Sequence, residues 1–330
     1  MKIDINTKFV TLIGTPLAQS FAARMQNRGY EAAGLNMAYF YTEADSSHLG
    51  EIVNGLRHMN FAGFAVTKPN KVEVVKYLDE LDPLCEKMGS CNTVVRTADG
   101  NLVGYNTDGL GFLRSLNEEM LKNVLADVKE ASGEDLENSL DENQVKNKTY
   151  FCIGSGGAGR AICSVLAHYG AKRIYITDIS EESCQSLVND INRNFVVSKG
   201  ENIDAAETEE AGGESGLVAC SLRSGDFSKI SECDVMINAS GVGMGASVGQ
   251  SPMPKEYMMP GKLYFDACYN PAKTQFLLDA EEVGGRILNG LDMSLYQGAA
   301  QIELWTGEKA HVEAMRQELM MILDEQKNNL

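Results

Sequence analysis

The chain has 330 residues, 44% of them hydrophobic and 23% charged, and a formal net charge of −17 at neutral pH. That length buries the cores of two domains comfortably, and the acidity argues against nucleic acid or an anionic membrane surface as partner, since both demand clustered Lys and Arg. Residues 1–8 lack the apolar core of a signal peptide, and no run reaches the roughly 18 apolar residues of a membrane span. The expected setting is therefore the cytoplasm, with small-molecule partners and no membrane contact. The eight cysteines form no Cys-x-x-Cys pair and several fall inside apolar patterns, so they read as reduced core thiols. The four histidines (His48, His58, His168, His311) have no metal-ligand spacing, and no metal is expected.

Residues 9–14 (Phe-Val-Thr-Leu-Ile-Gly) read as a buried strand broken by Gly14-Thr15-Pro16, and Gln19 to Gly29 as a helix with Ser20 near its start. A strand over 37–42, a helix from about Leu49 to Met59 and a strand over 61–67 follow. The last delivers Thr67-Lys68-Pro69-Asn70-Lys71 to a loop at its carboxyl end, where open α/β sheets bind ligands. Cys91 to Thr97 and a turn at Asp99-Gly100 lead to Gly104-Tyr105-Asn106-Thr107-Asp108-Gly109, with a helix running from about Gly109 into the 120s. Between Glu118 and Lys146 the composition turns acidic (Glu130, Glu134, Asp135, Glu137, Asp141, Glu142), which reads as a surface linker into a second domain.

That domain opens on Lys148 to Ile162, where an apolar strand runs into the glycine cluster Gly154-Ser155-Gly156-Gly157-Ala158-Gly159 and then into helix formers. The order suits a dinucleotide pyrophosphate. Gly154 permits the tight turn, Gly156 lets backbone N–H groups approach the phosphates, and the helix opening near Ala158 adds its partial positive charge. A second strand over 173–178 ends in Asp178, at the distance expected of an acid that binds a ribose hydroxyl. Residues 198–216, rich in Glu and Gly, read as a solvated excursion, and 234–240 and 263–266 as further strands; from about Leu291 the pattern is helical. Hydride transfer between a carbinol and a nicotinamide needs a group that exchanges the hydroxyl proton. Lys71 is the candidate, with Asp108 as the carboxylate that orients it.

With these motifs in order, the chain resembles the shikimate dehydrogenase family, including its quinate/shikimate branch. Val66-Thr67-Lys68-Pro69-Asn70-Lys71 is similar to the family's V-T-x-P-x-K catalytic-lysine motif, and Gly104 to Gly109 to its G-x-N-T-D-G, whose Asp partners the lysine. Cys91-Asn92-Thr93 resembles the x-N-T segment whose Asn contacts substrate, and Asn238-Ala239-Ser240-Gly241-Val242-Gly243-Met244 the N-x-[TS]-x-x-G-M loop near the cofactor. Asp266 to Pro271, with Tyr269, resembles D-x-x-Y-N-P; Gly290 to Gln297 resembles the segment whose Met (here Met293) lies by the nicotinamide and whose Gln (Gln297) reaches the substrate.

The resemblance implies an α/β protein of two domains: a substrate domain over 1–117 to which 289–330 returns, and a Rossmann-type NAD(P) domain over 118–288, with catalysis in the cleft between. It implies reversible reduction of 3-dehydroshikimate to shikimate, or of 3-dehydroquinate to quinate, with Ser20, Tyr39, Thr67, Asn92, Tyr269 and Gln297 placing the substrate. A dehydrogenase of another hydroxylated ring acid is one rival. An idle NAD-binding sensor or scaffold is another, which loss of Lys71 or Asp108 would have favoured. A monomer or homodimer is expected.

Two departures stand out. The family's H-S-x-S-P, whose serines hold the substrate carboxylate, is here Gln19-Ser20-Phe21-Ala22-Ala23, so the second serine and the proline are both alanine. The carboxylate is then expected to rest on Ser20 and on Tyr39, a position that is also Tyr in some quinate/shikimate branch members. NADP-using relatives carry an Asn-Arg pair after the second nucleotide-domain strand, whose Arg receives the 2′-phosphate; here Thr177-Asp178 stands there, and NAD is the expected cofactor.

Overall fold

The computed structural model describes residues 3–18, 20–127, 145–195 and 218–328. Both acidic stretches singled out above, over 130–142 and 201–214, lie outside these residues, as does Gln19. The chain divides into two compact units, residues 1–123 with 290–330, and residues 124–289.

The first unit holds a mixed six-stranded sheet. β1 (Lys8–Gly14) lies between β2 (Met37–Glu43) and β3 (Phe61–Val66), both parallel to it. The antiparallel hairpin β5 (Thr93–Arg96) and β6 (Leu102–Tyr105) extends the sheet beyond β3, and the short β4 (Glu80–Leu81) closes the edge. One core packs α2 (Leu49–Arg57) on the sheet through Leu49, Val53, Leu56, Phe61, Phe64 and Val94. α1 (Ala22–Ala32) meets the returning C-terminal helices α8 (Gly290–Thr306) and α9 (Val312–Asn328) so closely that a Cβ on Gly29 would stand 2.7 Å from Ile302 Cδ1. α1 starts three residues later than the sequence pattern suggests. After the short α3 (Pro83–Met88), the sequence places Asp108 just before a helix, whereas α4 (Thr107–Asp127) already includes it in its first turn. α4 takes up the first ten residues of the stretch read as linker, and at the far end of that stretch Val145 is fully buried under the Tyr150 hydroxyl.

The second unit is a doubly wound, all-parallel sheet in the order β12-β11-β10-β7-β8-β9. Its centre is β7 (Thr149–Ile153), every residue of which is buried, flanked by β8 (Arg173–Thr177) and β10 (Val235–Asn238). Burial on both faces explains why these strands read as continuous apolar runs. β11 (Leu263–Asp266) is equally buried, and β9 (Ala219–Leu222) and β12 (Arg286–Asn289) form the edges. α5 (Gly157–His168), α6 (Glu181–Phe195) and α7 (Gln275–Glu282) cover the faces. All eight cysteines are free thiols, seven of them buried. Among the described residues no helix is long and apolar enough to cross a membrane.

Candidate active site

Strand direction explains how three distant residues of the first unit meet. β3 and β6 both point away from the turn that joins β5 to β6, so the ends of β3 and β6 and the start of β5 share one edge of the sheet. Lys71 follows β3, Asn92 precedes β5 and Asp108 follows β6. Asn92 is pinned between the two strand ends, its N–H donating to the Tyr105 carbonyl at 3.1 Å and its carbonyl accepting from Val66 N at 2.8 Å. Lys71 Nζ then donates to Asp108 Oδ2 at 2.6 Å, and Asn92 Nδ2 donates to Asp108 Oδ1 at 2.9 Å. Side-chain exposures of 23% for the lysine and 10% for the aspartate leave the ammonium reachable while its partner is nearly enclosed.

A buried polar chain stands behind the pair. Gln26 Nε2 donates to Gln301 Oε1 (2.9 Å), Gln301 Nε2 to Thr93 Oγ1 (3.0 Å), and Thr93 Oγ1 to Asn92 Oδ1 (2.9 Å). Thr107 N also donates to Asn92 Oδ1, at 2.7 Å. Asn92 is 1% exposed and both faces of its amide are engaged, so its hydrogen bonds orient Asp108.

The remaining substrate-side candidates are spread. Thr67 is half-buried at the end of β3, its N–H on the Ile13 carbonyl. Gln297 lies on α8 where that helix touches α4: a Cβ on Gly111 would stand 2.4 Å from Met293 O and 2.7 Å from Gln297 N. Gly290 and Met293 open the same helix. Tyr269 lies beyond β11 in the second unit. Ser20 precedes α1, its Oγ accepting from Ala22 N at 3.3 Å. Tyr39 is 4% exposed and packs against Trp305, the rings tilted by 51° with centroids 6.1 Å apart. The hydroxyl that meets the Ser20 segment belongs instead to Tyr41, which the sequence reading passes over: it donates to the Ser20 carbonyl at 2.7 Å.

In the second unit, β7 and β10 are neighbours across the point where strand order reverses, and both send loops to the same crevice. Gly154 adopts φ +108°, a conformation that side chains rarely take, with its N–H on Thr177 O at 2.8 Å. The Ala239-Ser240 backbone lies against it, since a Cβ on Gly154 would stand 2.6 Å from Ala239 C. Asn238 braces that loop, donating to Asp266 Oδ1 and Val242 O, both at 2.9 Å, and accepting from Ser240 Oγ at 2.6 Å. Gly156 and Gly157, at the start of α5, have nothing within 4 Å of a Cβ position, so the space over the first helix amides is open. That open cradle of N–H groups fits a pyrophosphate, as the motif demands.

Asp178 Oδ2 accepts from Ser155 N (2.6 Å) and Ser155 Oγ (2.8 Å), and Oδ1 from Ser180 N (2.9 Å). Burial pushes this carboxyl up, yet the Ser180 and Ser155 donors outweigh it and hold it below the ordinary aspartate value. Thr177 is 3% exposed and its hydroxyl donates to the Arg223 carbonyl at 2.9 Å. The side chains presented at the strand end are therefore those of Asp178 and of Ile179, which is 94% exposed. Among the described residues no cluster of His, Cys, Asp and Glu could hold a metal ion.

Two family models match the chain: the shikimate dehydrogenase substrate binding domain over residues 12–94, and the shikimate 5'-dehydrogenase C-terminal domain over residues 290–320. A Bacillus cereus protein named shikimate dehydrogenase (NADP(+)) is 34% identical over 93% of this chain and 95% of its own length. The structure of shikimate 5-dehydrogenase from Listeria monocytogenes, in complex with shikimate and NAD, superposes with a TM-score of 0.78 at 30% identity over 97% of this chain and 98% of that one. The ligand-free 5-ketofructose reductase of a Gluconobacter strain reaches 0.77 at 28% identity over 97% of this chain and all of the other. With a relative this similar along almost the whole length, and the lysine, aspartate and glycine-turn geometry of both units in place, the chain belongs to the shikimate dehydrogenase family.

Proposed function

We propose that the chain is a dehydrogenase that reversibly reduces 3-dehydroshikimate to shikimate, with the quinate pair as a second substrate, using a nicotinamide cofactor. The observation that carries this reading is the Lys71–Asp108 contact of 2.6 Å, with the aspartate fixed from behind by Asn92. The nicotinamide, when bound, gives or takes the hydride at the carbinol carbon. Lys71 Nζ gives the proton to the forming alkoxide in reduction and takes it back in oxidation. Asp108 holds the ammonium in place, and Asn92 holds Asp108. The first unit binds the ring acid through Ser20, Tyr39, Thr67 and Gln297. The second binds the cofactor through residues 154–158, Asp178 and 238–240. We read the enzyme as a cytoplasmic monomer or homodimer.

NAD is the preferred cofactor in this reading, although the Bacillus cereus relative is named for NADP(+). A carboxylate accepts from ribose hydroxyls and repels a phosphate dianion. Ile179 beside it brings no cation, and Arg160, in the first turn of α5, is paired with Asp190 at 2.8 Å. A spectrophotometric screen of shikimate and quinate, each with NAD and NADP, tests the function and the preference together. The expected result is turnover of shikimate with kcat/KM for NAD at least about tenfold above NADP, the worth of one unfavourable charge contact. No turnover of either acid removes the substrate assignment, and equal efficiency with NADP removes the cofactor preference.

Ala22 bears on substrate affinity. A missing donor to a carboxylate is worth about 1.5–3 kcal/mol, so Ala22→Ser should lower KM for shikimate about tenfold or more with kcat little changed, the signature of uniform binding. An unaltered KM would place Ala22 away from the carboxylate. It would favour a second reading, a hydroxylated substrate without that anchor, which the likeness to 5-ketofructose reductase keeps in view.

A further inference from the structure

α1 begins at Ala22, and Phe21 before it has no side-chain acceptor for the free amides of the first turn. Two of those amides are nevertheless satisfied from outside the helix. Ala22 N donates to Ser20 Oγ at 3.3 Å, and Ala23 N donates to Tyr41 Oη at 3.0 Å. The same phenol donates to the Ser20 carbonyl at 2.7 Å, so one hydroxyl ties both ends of the Ser20-Phe21-Ala22-Ala23 turn. The approach is fixed further along the strand. Asn27 Oδ1 accepts from Tyr39 N at 2.8 Å and Asn27 Nδ2 donates to Tyr39 O at 2.9 Å, which sets α1 along β2 and brings the start of the helix beside Tyr41. At 37% exposure the Tyr41 ring is too open for core packing to be its main contribution.

We infer that Tyr41 is a positioning residue for the substrate, holding Ser20 where its hydroxyl meets the ring acid's carboxylate and taking over the stiffening role of the missing proline. The two features are chemically linked. Proline at position 23 would lock φ but has no N–H, so the bond from Ala23 N to Tyr41 exists only because the proline is absent. Ser20 Oγ, accepting from Ala22 N, keeps its own hydrogen free to donate to an anion. The inference rests on Ser20 being the carboxylate anchor.

Tyr41→Phe removes both hydrogen bonds and keeps the ring. KM for the best ring acid should rise about 5–20-fold with kcat within about twofold and KM for NAD unchanged, because only the ground-state hold on substrate is loosened. Adding Ala23→Pro to Tyr41→Phe should bring KM back to within about threefold of the parent, since proline is tolerated in the first helical turn and restores the lost rigidity. A Tyr41→Phe KM within twofold of the parent overturns the role, as does a fall in kcat together with a rise in KM for NAD, which would mark a general structural defect. A double variant that stays at the Tyr41→Phe value overturns the substitution of tyrosine for proline. Ser20→Ala, run alongside, separates the two levels. If it raises KM while Tyr41→Phe does not, Tyr41 is dismissed and the anchor stands; if it has no effect, both fall.

Discussion

Lys71→Ala should lower kcat by about 10²–10⁴, the usual worth of a positioned general acid–base, while leaving NAD affinity within about twofold. The glycine turn and Asp178 are built by β7, β8 and their loops, so the truncation touches none of that cradle. Asp108→Asn should depress turnover in the same direction, for a reason visible in the hydrogen bonding. Both carboxylate oxygens accept, Oδ2 from Lys71 and Oδ1 from Asn92. An amide offers one oxygen and one NH₂, so it turns a donor toward either the ammonium or the Asn92 amide, and whichever is refused loses its place. Steady-state kinetics and a calorimetric NAD titration on both variants decide the matter. Near-normal kcat in Lys71→Ala, with the best substrate saturating, would remove the lysine from the chemistry.

What the sequence makes legible follows from burial and from local wording. β3, β7, β10 and β11 read as apolar runs, with polar residues only at strand ends (Thr149, Asn238, Asp266), because both faces of each are covered. β9 (Ala-Cys-Ser-Leu) and β12 (Arg-Ile-Leu-Asn) escape notice as four-residue edge strands whose polar residues interrupt any apolar run. Lys71 and Asp108 are recognisable from the residues around each, but the chain that steadies them, from Gln26 through Gln301 and Thr93 to Asn92, joins positions up to 275 residues apart and leaves no local pattern. The two tyrosines of β2 show the limit most clearly. A strand's period of two puts Tyr39 and Tyr41 on one face. Which of them reaches Ser20 depends on how far α1 slides along β2, and that is set by the Asn27 amide. The same holds for Thr177 and Asp178, where only the closing hydrogen bond to Arg223 reveals that the threonine turns inward.

Gly159→Ala should be the most damaging single methyl in the nucleotide unit. A Cβ there would stand 2.0 Å from the Gly154 carbonyl oxygen and 2.9 Å from its carbon, backbone atoms that cannot rotate aside. Nor can Gly154 retreat, because its N–H is bonded to Thr177 O at 2.8 Å and the Ala239 backbone closes the other side. α5 must then shift off β7, and its first amides move with it, away from the turn in which Ser155 grips Asp178. Overpacking of this kind costs about 1–3 kcal/mol, a drop in melting temperature of roughly 2–10 °C at this size. Loss of the phosphate cradle should weaken NAD binding about tenfold or more on top of that. Gly157→Ala is the matched control. It adds the same methyl two residues earlier, where nothing lies within 4 Å, and exchanges glycine for the best helix former at the helix start. Its stability should stay level or rise by a few tenths to about 1 kcal/mol, at most roughly 2–4 °C in melting temperature. If Gly159→Ala instead matched the parent in both melting and NAD titration, the close contact between helix and turn would not govern the site, and the cofactor would have to be held by the loops after β8 and β10 alone.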